Sequence, residues 1–97
     1  MKTRTPAQIV QDRKTYFKMK EKYREEILIV GNDDFYEAYG DDAERLSQAT
    51  GLTVIKSAFV ADNALPICGF QISSIDWVLP KVIKAGYKVA LCDKIMN

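Results

Sequence analysis

Histidine is absent from this 97-residue chain, and cysteine (two), proline (three) and tryptophan (one) are scarce. Without histidine there is no imidazole to act as a general base near neutral pH. Two cysteines alone cannot complete a structural zinc site. Cys68 and Cys92 each sit inside an apolar run, Leu65 to Phe70 and Tyr87 to Cys92. Buried, reduced strand cysteines are therefore expected, because a free thiol behaves as a small hydrophobe. No apolar stretch approaches the roughly 20 residues that a membrane span needs. The basic start, Met1-Lys2-Thr3-Arg4, lacks the apolar segment of a signal peptide. The cytoplasm is the expected compartment, with no membrane partner. Internal repeats, linkers and low-complexity segments are also missing, which predicts one domain over residues 1–97.

What is present is ordinary in bulk and uneven in detail. Hydrophobic residues make up 47% and charged residues 28%, as in a soluble globular domain. The net charge of +1 conceals three blocks. Residues 1–24 carry eight Lys or Arg against two acids, residues 25–50 one Arg against eight acids, and the remainder five Lys against three Asp. A basic first helix of this kind can meet phosphates, or be a solvated face.

Thr5-Pro6-Ala7-Gln8 reads as a helix start, with a Thr cap, Pro in the first turn and Gln at the capping-box position. The spacing predicts a helix to about Tyr23 whose buried side holds Ile9, Val10, Tyr16, Phe17 and Met19. Lys14, Lys18 and Lys22, four apart, then share an exposed stripe. Ile27 to Val30 predicts a buried strand, Gly31-Asn32-Asp33 a turn, and residues 34–39 a second strand. Asp41 or Asp42 is expected to cap a second helix ending near Thr50-Gly51. Leu52 to Ile55 predicts a third strand, Lys56 to Asn63 an edge and loop, and Leu65 to Phe70 a strand entered through Pro66. Ser73 or Ser74 caps a third helix that buries Ile75, Val78, Leu79, Val82 and Ile83. Pro80 is expected to kink it or break it near Leu79, Gly86 to end it, and Tyr87 to Cys92 to form the last strand. The fold class is α/β: a mixed sheet of about five strands with three helices packed against it.

Within this frame Asp33-Asp34-Phe35-Tyr36-Glu37 stands out. Strand alternation puts Phe35, Glu37 and Tyr39 on one face and Tyr36 and Ala38 on the other. A large ring beside an ionisable carboxylate suits a surface that stacks on something flat and hydrogen-bonds it.

The segments Tyr16-Phe17-Lys18-Met19-Lys20, Asp34-Phe35-Tyr36-Glu37, Asp41-Asp42-Ala43, Pro66-Ile67-Cys68-Gly69-Phe70 and Gly86-Tyr87-Lys88-Val89-Ala90-Leu91-Cys92-Asp93 follow in an order and spacing that resembles the N-terminal mismatch-recognition domain of the MutS DNA mismatch repair family. The resemblance runs from Tyr16 to Ile95. It implies that Phe35 enters the minor groove and stacks on a mispaired base, that Glu37 hydrogen-bonds that base, and that the DNA is kinked there. The partners it implies are mismatched or distorted double-stranded DNA and other mismatch repair proteins. Apolar wedges unstack base steps at a cost of roughly a few kcal/mol, least where pairing is already poor. Two departures stand out. The family's Arg-x-Gly-Asp before Phe-Tyr-Glu is Gly31-Asn32-Asp33-Asp34 here, and its Gly-Val-Pro-x-His is Gly69-Phe70-Gln71-Ile72-Ser73.

Three functional readings follow. The first is a DNA-binding module in which Phe35 and Glu37 read the base while Lys14, Lys18 and Lys22 meet phosphates. The second is a protein-interaction or regulatory module that keeps the fold without DNA recognition. An enzyme is the third. Asp33, Asp34, Glu37, Asp41 and Asp42 resemble ligands for a hard cation. No Asp…Asp/Glu-x-Lys nuclease pattern lies on adjacent predicted strands, however, and Asp41 and Asp42 suit a helix start. No Gly-x4-Gly-Lys-Ser/Thr phosphate loop is present either, so no ATPase, metal or cofactor is expected. Reading by Phe35 requires it to be largely exposed, or packed only against the first helix at a surface groove. Full burial favours the interaction module.

Overall fold

The computed structural model describes residues 6–32, 34–56 and 65–92, and of residues 6–10, 32 and 56 the backbone alone. Helix α1 (Pro6–Lys20) leads into β1 (Ile27–Asn32) and β2 (Phe35–Tyr39), followed by α2 (Asp41–Thr50) and β3 (Val54–Lys56). After β4 (Pro66–Gln71), a single 3-10 turn (Ile72–Ser74) enters α3 (Ile75–Lys84), and β5 (Val89–Cys92) closes the order. The five strands form one mixed sheet in the order β3-β4-β2-β1-β5. Among the described residues only β1 and β5 pair in parallel, with Ile27 opposite Val89. The predicted α/β class and element order therefore hold.

Strand alternation builds the two cores. Ile27, Ile29, Tyr36, Ala38, Cys68 and Phe70 point to one side of the sheet and bury Ala43 and Leu46 of α2 and Val78 and Val82 of α3. Leu28, Val30 and Tyr39 point to the other side and bury Tyr16 of α1. Strand β1 is covered on both faces, which is why it reads as an unbroken apolar run. Each of these large side chains contributes roughly 1.5–3 kcal/mol by leaving water. Cys68 and Cys92 belong to opposite faces of the sheet, Cys68 buried and Cys92 half-buried.

Several boundaries differ from the sequence-based expectation. Helix α1 stops at Lys20 rather than Tyr23. Its end tightens through Lys22 N–H to Met19 O and Tyr23 N–H to Lys20 O, both 3.0 Å. The Lys20 ammonium donates to the carbonyls of Tyr23 and Glu26, satisfying groups that a longer helix would have used. Phe17 is 40% exposed, not buried. Consecutive helical residues point about 100° apart, so Tyr16 and Phe17 cannot both face the sheet. Phe17 instead lies edge-on to the Tyr16 ring at 5.3 Å. The Thr5 cap and the loop through Asn63 fall outside the described residues, and so do the side chains of Ile9 and Val10.

Pro80 neither breaks α3 nor ends it at Leu79. The carbonyl it deprives of a donor is that of Asp76, and both residues are exposed, where the loss of the bond costs least. Ile83 is 58% exposed, contrary to its expected place on the buried face, because Val78 and Val82 define that face. Gly86, at φ 97°, ends the helix as expected. Its N–H reaches Ile83 O at 2.9 Å and the Tyr87 N–H reaches Val82 O at 3.3 Å, the paired bonds of a Schellman cap.

Candidate nucleic-acid interface

The alternation that buries Tyr39 against α1 puts Phe35 and Glu37 on the same face of β2. In the β2–β4 ladder Phe35 stands opposite Gln71, Glu37 opposite Gly69, and Tyr39 opposite Ile67. These six residues share one face, graded along its length. At the Tyr39 end the face is closed by Tyr16, whose ring stacks on Tyr39 at 4.7 Å. At the other end Phe35 is half-buried while Gly69 and Gln71 are exposed. Phe35 is thus neither fully buried nor fully exposed.

Glu37 is only 7% exposed, so it is not a solvated strand carboxylate. The Tyr39 hydroxyl donates to its Oε1 at 3.4 Å. Its Oε2 lies over Gly69, 4.0 Å from where a Cβ at that position would stand, and its Cγ is 3.5 Å from that point. Glycine at 69 lets the glutamate stem lie flat against β4. The result is a buried carboxylate with one oxygen reached by the Tyr39 hydroxyl and the other over Gly69.

Lys14, Lys18 and Lys22 are all exposed and, with Gln11, Thr15 and Met19, line a surface groove along α1. The structure therefore brings Phe35 and Glu37 together and gathers the three lysines into a stripe of their own. Asp33 lies outside the described residues, while Asp34 is exposed and its carbonyl accepts from the Ile72 N–H at 3.0 Å.

Asp42 departs most from the sequence reading. It begins α2 without capping it, since Gly40 occupies the cap position and no side chain bonds there. Its carboxylate is 1% exposed and joins three elements. Oδ2 accepts from the Leu28 N–H at 2.9 Å and the Tyr16 hydroxyl at 3.2 Å and pairs with Lys20 Nζ at 2.7 Å. Oδ1 pairs with Arg45 at 2.9 Å. The single Tyr16 hydroxyl proton is shared with Leu28 O, the nearer acceptor at 2.6 Å. Burial first, and then the neighbouring Asp42 charge, push the Tyr16 phenol far above its ordinary pKa, so it stays a hydroxyl donor. Asp42 is thus committed to the protein itself, and among the described residues no three acids or cysteines gather as a metal-ligand set. Neither Gly69 nor Gln71 was identified as a site residue from sequence, although both fall where the chain departs from or meets the family pattern.

Fold and site together define a small mixed-sheet α/β domain that presents an aromatic ring and an oriented carboxylate at the open end of one sheet face. The family described as MutS domain I matches residues 12–97, and the chain belongs to it. It is 40% identical over 82 residues to the DNA mismatch repair protein MutS of Flavobacterium johnsoniae, covering 84% of this chain and 9% of that protein. The MutS of Thermodesulfovibrio yellowstonii is 36% identical over 80 residues, 82% of this chain and 9% of the relative. The MutS of Parabacteroides distasonis is 37% identical over 82 residues, 84% and 9%. The chain therefore spans about a tenth of the length of the curated relatives it matches. Among the described residues no helix is long and apolar enough to cross a membrane.

Proposed function

We propose that this domain binds mismatched or otherwise distorted duplex DNA, with Phe35 as the stacking wedge and Glu37 as the base contact, and that it catalyses no reaction. The observation that carries the reading is the graded face of β2: a half-buried aromatic residue, two residues from a buried carboxylate that the Tyr39 hydroxyl approaches at 3.4 Å. A half-exposed ring on a rigid strand loses little further freedom on stacking, and base–aromatic stacking is worth roughly 1–3 kcal/mol. The buried carboxylate is oriented before DNA arrives, which lowers the ordering cost of its hydrogen bond. Lys14, Lys18 and Lys22 supply phosphate contacts along α1, and each one engaged adds about 0.9 to the salt slope of log K.

The near-complete burial of Glu37 favours the second reading, an interaction module in which the same face is only packing. Titration of matched and mismatched duplexes at low salt separates the two. Wild type is expected to prefer the mismatch, and Phe35→Ala to lose about 5- to 100-fold of that binding. Glu37→Ala lowers the preference while leaving matched binding in place. Equal binding of both duplexes by wild type, or variants that bind like wild type, refutes the reader.

A further inference from the structure

The β2–β4 register places a third polar side chain at the open end of the face. Gln71 stands directly opposite Phe35 in the antiparallel ladder. Directly opposed residues project from the same face with Cβ atoms about 5 Å apart. Gln71 is exposed and its backbone is extended, φ −64° and ψ 145°, at the last position before the chain turns into Ile72–Ser74. A glutamine at this place offers a primary amide, two donors and one acceptor, beside a half-buried ring and at the rim of an oriented carboxylate.

We propose that Gln71 is a further reader in this domain: its amide hydrogen-bonds the minor-groove edge of the base pair next to the one Phe35 enters. This inference rests on the reading of Phe35 as a minor-groove wedge. Base pairs stack about 3.4 Å apart. A side chain rooted about 5 Å from the wedge therefore meets the neighbouring pair rather than the stacked base itself. In the minor groove an A·T pair presents only acceptors, adenine N3 and thymine O2, whereas G·C adds the guanine N2 amino donor. Both amide donors of Gln71 can engage the two acceptors of an A·T pair, whereas a G·C pair is met by turning the amide to accept from the guanine N2 amino group, one bond in place of two. The domain then prefers A·T beside the mismatch.

The test uses the 97-residue chain and a set of duplexes carrying one mismatch, flanked by A·T, by G·C, or by a pair containing 3-deazaadenine, which lacks the N3 acceptor. Wild type is expected to bind the A·T-flanked duplex about 5- to 20-fold more tightly than the other two, within the 1–3 kcal/mol of one good base contact. Gln71→Ala removes this flank preference and keeps the mismatch-over-matched preference, and Gln71→Glu, with no donors at neutral pH, does the same. Because Gln71 is exposed, its thermal unfolding curve should overlay that of wild type. A wild type without flank preference, or a Gln71→Ala protein that retains it, overturns the proposal and leaves the Phe35 reader standing. Phe35→Ala binding mismatched DNA as wild type does overturns the reader, and the Gln71 inference with it.

Discussion

Asp42→Asn measures what holds this fold together. The substitution keeps the shape and one acceptor but removes the charge from a side chain 1% exposed. If Asp42 were only an acid favouring a helix start, the cost would be about 0.3–1 kcal/mol. The structure predicts more. The bond from Leu28 N–H at 2.9 Å is a buried bond to a charged group, worth about 1.5–3 kcal/mol. Lys20, 21% exposed, loses its partner at 2.7 Å and cannot leave the interface without giving up the Tyr23 and Glu26 carbonyls. Arg45 is 46% exposed, so its loss adds at most about 0.5 kcal/mol. Asparagine recovers part of the Leu28 bond, which brings the expected total to about 2–3 kcal/mol. In a domain of this size that lowers the melting temperature by roughly 10–20 °C. Urea unfolding followed by circular dichroism reads it directly, with an unchanged m-value. Pairing the change with Lys20→Met in a double-mutant cycle should give a coupling above about 1 kcal/mol. A loss under 1 kcal/mol, with additive single effects, would refute the hub and restore the helix-start reading.

The remaining predictions concern glycine, proline and thiol positions. Gly40→Ala should destabilise by about 1–2 kcal/mol, more than Gly51→Ala. Both have positive φ, but a Cβ at Gly40 would meet Phe17 Cζ at 3.3 Å while Gly51 faces open space; comparative urea titrations check the order. Pro80→Ala should stabilise by about 1–2 kcal/mol by restoring the donor to the Asp76 carbonyl, and a lower melting temperature would contradict that. Burial pushes the Cys68 thiol up to about 11. The unfolded chain therefore loses that proton first as pH rises, and stability declines between about pH 9 and pH 11. Cys68→Ala should flatten that decline in unfolding curves, and at pH 8 a thiol reagent should leave Cys68 unlabelled until the protein unfolds. Gly69→Ala leaves the fold nearly as stable, because its new Cβ makes ordinary contact with Glu37 Cγ at 3.5 Å. It adds a methyl group against the Glu37 side chain, so mismatch binding should fall while the melting curve stays in place.

The strands were legible because their signal is local. Ile27 to Val30 is apolar on both faces, and alternation alone assigned Phe35, Glu37 and Tyr39 to one side. Helix ends were less legible because they are set by distant partners. Beyond the end of α1, Lys20 holds carbonyls three and six residues on, and nothing in a periodicity announces that. Asp42 was misread for a related reason. Helix-start acids are common, and the Leu28 N–H and Tyr16 hydroxyl that claim this one are 14 and 26 residues away in sequence. The candidate site was half legible: the motif named Phe35 and Glu37, but Gly69 and Gln71 join them only through the β2–β4 register.

That register also separates what stabilises the domain from what would read DNA. The Asp42 hub gathers Tyr16, Leu28, Lys20 and Arg45 near the Tyr39 end of β2, where Tyr39 stacks on Tyr16. Phe35 begins the same strand four residues earlier, about 13 Å away at the usual strand rise. A buried charge costs stability unless it is paired. The half-buried Phe35 lies at the open end, and the Asp42 charge pairs lie at the closed end. Substitutions at 35, 69 and 71 should consequently act on binding with little effect on folding, whereas those at 16, 20 and 42 should do the reverse. Were Phe35→Ala to unfold the domain as severely as Asp42→Asn, the two ends would be one core, and the open face of β2 would be packing rather than a reading surface.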